Sequence, residues 1–153
     1  MEFKVEKLPR YRFAYVRQVG PYGPGNIQAM ERMKRWGAER NLLNHSAILL
    51  GIPWDNPETT PPKNCRYDAC LVISQDEPLD DDTVHIGEIS GGDYLVCTIK
   101  HTAQAMQQAW AELMPTLQAK GYQIDDRPIL ERYTGEMLLK EFCEICVPIT
   151  SLN

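Results

Sequence analysis

Two hydrophobic periods alternate along the chain. Residues 3–8, FKVEKL, and 11–19, YRFAYVRQV, alternate apolar and polar side chains, as strands with one covered face do. Only Pro9 and Arg10 separate them, so the spacing predicts a tight β-hairpin. After VGPYGPGN, a turn rich in glycine and proline, the period changes. Ile27, Met30, Met33 and Trp36 recur three apart and predict a helix with Asn26 as its N-cap. SAILLGI and RYDACLVIS return to strand character. Between them lies PWDNPETTPPKNC, whose four prolines forbid regular pairing.

The same order then repeats. HIGEIS and DYLVCTIKH read as a second hairpin across Gly91 and Gly92. TAQAMQQAWAELMPTLQAKGY reads as a helix with Met106, Trp110, Leu113 and Leu117 on one stripe, Thr102 as cap and Gly121 as stop; Pro115 predicts a kink or break. PILERY and FCEICVPI close the chain as strands. Residues 67–73, YDACLVI, align locally with 143–149, CEICVPI. The pattern predicts two ββαββ halves, about residues 1–76 and 83–153, joined by the acidic linker QDEPLDDDT. Two such halves side by side leave a groove at their junction, a favoured place for a small ligand.

At 153 residues the chain fits one domain. Sixteen basic residues stand against 21 acidic ones, a net charge of −5, which argues against a phosphate-backbone binder and suits a cationic partner. No apolar run reaches the length of a membrane span, and the N-terminus has no apolar block of a signal peptide, so a soluble, cytoplasmic protein without membrane contact is expected. The five cysteines read as reduced thiols. Cys143 and Cys146 spell CxxC, but in a strand they point to opposite faces, so no metal or redox pair is expected of them. His45, His85 and His101 are scattered singly.

One acid breaks the pattern. In RPILERYTG, residues 127–135, the strand period puts Glu131 on one face with Ile129 and Tyr133, an apolar setting that favours a positive partner. Glu144, with Phe142 and Cys146 on its face, is the rival acid. Glu88 and Asp68 read as structural or exposed.

Three motifs share their order and spacing with a known family. They are Val19-Gly20-Pro21-Tyr22; Asp55-Asn56-Pro57-Glu58 followed by Arg66-Tyr67-Asp68; and Glu88-Ile89-Ser90-Gly91-Gly92 with Tyr94, the most specific of the three. Over nearly its whole length the chain resembles the GyrI-like small-molecule-binding domain. That domain is found alone in the bacterial DNA gyrase inhibitory protein and as the effector-binding domain of AraC-type and MerR-type regulators. The resemblance implies one domain over 1–153 and an α+β fold: two pseudo-symmetric β-α-β-β (SHS2-type) modules, a curved antiparallel sheet, two long helices and a central groove. It implies amphipathic, often cationic ligands and no cofactor. The family's glutamate on the penultimate strand, which meets the cation, matches Glu131, and Tyr22, Trp54, Tyr94, Trp110 and Tyr133 are the candidate aromatic walls. Three roles are open under it: a stand-alone binding module for drug or toxin sensing or sequestration, a DNA gyrase inhibitor acting by protein contact, and a hydrolase of cyclopropane-containing genotoxins with Glu131 as general base. With no helix-turn-helix pattern in these residues, direct nucleic-acid binding is not expected.

Overall fold

The computed structural model describes residues 2–79 and 81–151; Met1, Leu152, Asn153 and Asp80 of the predicted linker lie outside the described residues. The first half comprises β1 (Phe3–Leu8), β2 (Tyr11–Val19), α1 (Pro24–Glu39), β3 (Ile48–Pro53) and β4 (Arg66–Ile73). The second comprises β5 (His85–Ile89), β6 (Gly92–Lys100), α2 (Ala103–Lys120), β7 (Tyr122–Ile124), β8 (Leu130–Thr134), α3 (Gly135–Leu139) and β9 (Phe142–Ser151). The short β7 and α3 carry too few residues to show a period and are not legible in the sequence pattern.

All strand pairs are antiparallel, in the order β1-β6-β9-β8-β3-β4-β2-β5, with β7 on β9. Matching β1, β2, β3 and β4 with β5, β6, β8 and β9 makes this order read the same from either end. The pseudo-twofold axis therefore falls between β3 and β8. Neither predicted hairpin forms. β1 pairs with β6, and β5 with β2, so each half lends its first strand to the other. The short connections are crossovers, and they touch. A Cβ on Gly91 would lie 2.8 Å from the Pro9 carbonyl carbon and 2.9 Å from the Arg10 nitrogen, which explains a glycine there.

Both long helices, α1 and α2, cover one face of the sheet. Met30, Met33 and Trp36 of α1 and Ala109, Leu113 and Leu117 of α2 share a core with Ala14, Leu49, Leu71, Leu95, Ile145 and Val147. The opposite face holds a second core, which includes Phe13, Leu50, Ile52, Tyr94, Val96 and Leu130. Cys143 belongs to the first core and Cys146 to the second, as the strand period requires.

Three local features refine the expectations. α1 starts at Pro24 with Gly23 at the N-cap, because proline's fixed φ suits the first turn; Asn26 is inside the helix. α2 runs unbroken through Pro115, with Thr102 Oγ1 accepting from the Ala105 N–H at 3.1 Å and Gly121 closing it at φ 74°. The segment after β4 is tied to α1 in its described part: Asp81 accepts hydrogen bonds from Trp36 Nε1 (2.9 Å) and from the Thr83 N–H (2.8 Å), and it pairs with Arg40, whose guanidinium lies 4.3 Å over the Trp36 ring. The Thr83 hydrogen bonds, followed by that of Trp36, hold the Asp81 carboxyl down to about 2.

Candidate functional site

The β3–β8 seam places the acid. Ala69 of β4 aligns with Ile145 of β9; Gly51 pairs with Ala69, Glu131 pairs with Ile145, and Gly51 and Glu131 pair with each other. They are one position of the repeat, facing itself across the axis, with a carboxylate on one side and no side chain on the other. The room above Gly51 is taken by Tyr67. A Cβ on Gly51 would sit 3.0 Å from Tyr67 Cζ. The phenols of Tyr67 and Tyr133 interact, and burial raises both from their ordinary values, that of Tyr67 well above.

Above this floor lies a pocket of about 140 Å³. Tyr67, Glu131 and Tyr133 form its base. Asn26, Ile27, Met30, Glu31 and Lys34 of α1 form one wall, and His101, whose ring centre is 5.6 Å from that of Tyr133, closes an end. Lys34 Nζ is 3.3 Å from Glu31 Oε1, so the wall's cation already has an acid beside it. Among the described residues no side chain or backbone N–H donates to the Glu131 carboxylate, and no cation pairs with it. Burial alone raises Glu131 to about 7. A second acceptor is also unmet: Asn26 Oδ1 is buried and lacks a hydrogen-bond partner.

Of the residues proposed from sequence, Glu131 and Tyr133 meet in this pocket. Tyr22 lies behind it, its ring 6.4 Å from that of Tyr67, donating to the Arg66 carbonyl (2.6 Å) and accepting from the Asp55 N–H (3.1 Å). Tyr94 is fully buried in the second core, on the opposite face, under the Arg127 guanidinium. Trp54 donates to Asp68 Oδ2 at 2.7 Å, and Asp68 also lies on that opposite face, between Tyr67 and Ala69 of the helix-covered one. Trp110 is 37% exposed on α2 and does not line the pocket. Superposing the buried residues Ala109 and Leu113 on Ala29 and Met33 gives Trp110 the place Met30 has on α1. Glu144 is bound to Arg132 on the opposite face, 2.9 Å away. Sequence reasoning missed Tyr67, His101 and the α1 wall. The one available signal was the small Ala69 two residues from Tyr67 on the same face.

A pocket between α1 and the sheet, with an acid on its floor that has no partner among the described residues, fits a small-molecule-binding domain. The chain belongs to the GyrI-like small molecule binding domain family, whose model matches residues 1–150. It is 37% identical over 154 residues, covering 97% of this chain and 99% of the relative, to YosT of Bacillus subtilis, named as an SPbeta prophage-derived transcriptional regulator. It is 22% identical over 148 residues to a DNA gyrase inhibitor of Citrobacter rodentium, covering 95% and 93% of the two chains. In fold it is similar to the EcmrR C-terminal domain, with TM-score 0.77 and 15% identity over 99% and 98% of the chains. It is also similar to a protein solved bound to tetraphenylphosphonium, with TM-score 0.59 and 16% identity over 99% and 96%. No described helix is long and apolar enough to cross a membrane.

Proposed function

We propose that this domain binds an amphipathic cation, with Glu131 as counter-charge and Tyr67, Tyr133, Met30 and Ile27 as apolar contact. The observation that carries this reading is the unpaired, desolvated Glu131 carboxylate on the pocket floor. A buried charge without a partner is costly, and a cation that has shed its water supplies one, with cation–π contact to the rings. The pairing of Lys34 with Glu31 leaves the wall close to neutral, so Glu131 sets the sign. The structural similarity to a protein holding tetraphenylphosphonium supports the same ligand class.

Isothermal titration with a cationic dye and an uncharged analogue tests it. Glu131→Gln keeps shape and removes charge, and is expected to weaken the cation about tenfold, or about 1.4 kcal/mol, with the neutral analogue nearly unchanged. Equal cation affinity in wild type and variant would refute the reading. Glu144→Gln, on the other face, should weaken the cation less.

A carboxyl raised to about 7 also suits a general base toward water, so hydrolysis of a cyclopropane-containing compound is a second reading, tested by mass spectrometry of substrate mixed with protein. Similarity to a gyrase inhibitor motivates one further assay, supercoiling by gyrase in the presence of the chain.

A further inference from the structure

One edge of the sheet is open. Among the described strands β1 has a single neighbour, β6, and pairs with it without a bulge from Phe3 opposite Cys97 to Leu8 opposite Gly92. Its outer side therefore carries a row of backbone N–H and C=O groups with no strand beside them, on a stretch free of proline and glycine. Phe3, Val5 and Lys7 stand on the helix-covered side of the sheet, and Lys4 and Glu6 on the other. Lys4, Val5 and Lys7 are exposed.

The side chains of this edge are complementary to themselves. When two copies of a strand pair antiparallel about a twofold axis, facing residues lie on the same side of the sheet and the pairing centres on one residue. Centred on Val5, it sets Val5 against Val5, Lys4 against Glu6 twice and Phe3 against Lys7 twice. Centred on Lys4, Glu6 or Lys7, it sets like charges against each other; centred on Phe3, it leaves Glu6 and Lys7 beyond the pairing. Only the Val5 register suits every exposed side chain. Edge lysines ward off foreign strands, but here a second copy gives each lysine a partner. Glu6 is held by Arg132, so it meets the second copy's Lys4 as an already positioned carboxylate. The opposite edge, β5, has no such register. Its His85 and Glu88 point to opposite faces and cannot meet across a twofold axis, and Glu88 pairs with Arg10.

We propose that two copies of this chain join through β1, antiparallel and centred on Val5, into one continuous sheet. The twofold axis stands perpendicular to that sheet, so the helices and pockets of both copies lie on the same side of it.

Sedimentation velocity of the full chain over a series from about 5 to 500 µM tests the association, which mass action makes concentration-dependent. A monomer–dimer equilibrium is expected. Lys4→Glu, at an exposed position, turns two attractions into two repulsions and should weaken the dimer about tenfold or more. Val5→Cys places two thiols across the axis, where facing Cα atoms lie about 4.5–5.5 Å apart, within a disulfide's reach, and mild oxidation should trap a covalent dimer on a non-reducing gel. In Lys4→Cys the two thiols are offset to about 8 Å between Cα atoms, and little cross-linking is expected. The five native cysteines are buried and stay out of the reaction. A thermal melt checks that each variant folds. A monomer at every concentration, or species that grow beyond the dimer, would overturn the proposal. So would a dimer indifferent to Lys4→Glu, or one that Val5→Cys does not trap.

Discussion

Glu131 and Arg132 are neighbours in one strand and point to opposite faces of one sheet, and the two faces treat charge differently. On the face away from the helices the buried charges among the described residues, Asp68, Arg132 and Glu144, are all matched. Arg132 is 8% exposed and donates to Glu144 at 2.9 Å, to Tyr11 Oη at 3.3 Å and to both Glu6 oxygens at 3.1–3.2 Å. Asp68 accepts from Arg17 at 2.8 and 2.9 Å and from Trp54 at 2.7 Å. Asp68 and Glu144 hold the same position in the two aligned halves, so the repeat places a neutralised acid twice on that face. On the helix-covered face the position of Glu131 carries glycine in the other half, Gly51, and the acid has no partner among the described residues. A buried acid with an arginine serves the fold; one without is available to a ligand.

The contrast breaks most visibly at Arg132. Arg132→Leu strands Glu144 in the second core, and a loss of about 3–5 kcal/mol is expected in urea unfolding at neutral pH. Arg132→Leu with Glu144→Leu should recover most of it, since a matched apolar pair leaves no buried charge. Glu131 should behave in the opposite way. Its carboxyl is raised from 4.5 to about 7, so the folded state holds the proton more tightly than the unfolded one. That stabilisation is complete below about 4.5 and is lost as pH rises through 7. Glu131→Gln, neutral throughout, is therefore expected to exceed wild type by about 2–3 kcal/mol at pH 8 and to match it near pH 4.

Asp68→Asn should cost less than the Arg132 change, about 1–2 kcal/mol, because Arg17 is partly exposed and the stranded charge can reach water. The affinity of a permanently charged ligand should rise between about pH 5 and 8 as Glu131 ionises, levelling above about 7, while a neutral analogue stays flat. The smallest effect is expected at Asp81. Its carboxyl is lowered to about 2, so its contribution is present above the ordinary carboxylate range and is lost only as pH falls through 2. Asp81→Asn should lower the neutral-pH melt slightly, and the difference from wild type should vanish as the pH falls toward 2, read from tryptophan fluorescence.

Much of this was legible before the fold. The period of residues 129–133 put Glu131 beside Tyr133, and the alternation of β9 separated Cys143 from Cys146. The aromatic walls were harder. β6 is buried on both sides from Tyr94 to Cys97, so it has no alternation to tell which side Tyr94 takes. Trp54 lies just past the end of β3, where no period reaches, and Trp110 follows the period of α2, which does not tell which neighbour will cover it. Asn26 looked like a cap because its residue type favours caps; Pro24 pre-empted the position, and Asn26 turned into the pocket wall.

The sequence alone determined the two-part repeat, the long elements of each half and the residues sharing a face with the acid, because these depend on local period and on side chains close in the chain. Tertiary structure decided the rest. Short connections that looked like hairpins became crossovers, since the pairing of β1 with β6 and of β5 with β2 satisfies backbone groups far apart in sequence. The same pairing laid Gly51 against Glu131, brought α1 over both, and left the Glu131 carboxylate on the pocket floor without a partner among the described residues. That outcome depends on which surfaces meet across the pseudo-twofold axis, and no period within a single strand or helix encodes it.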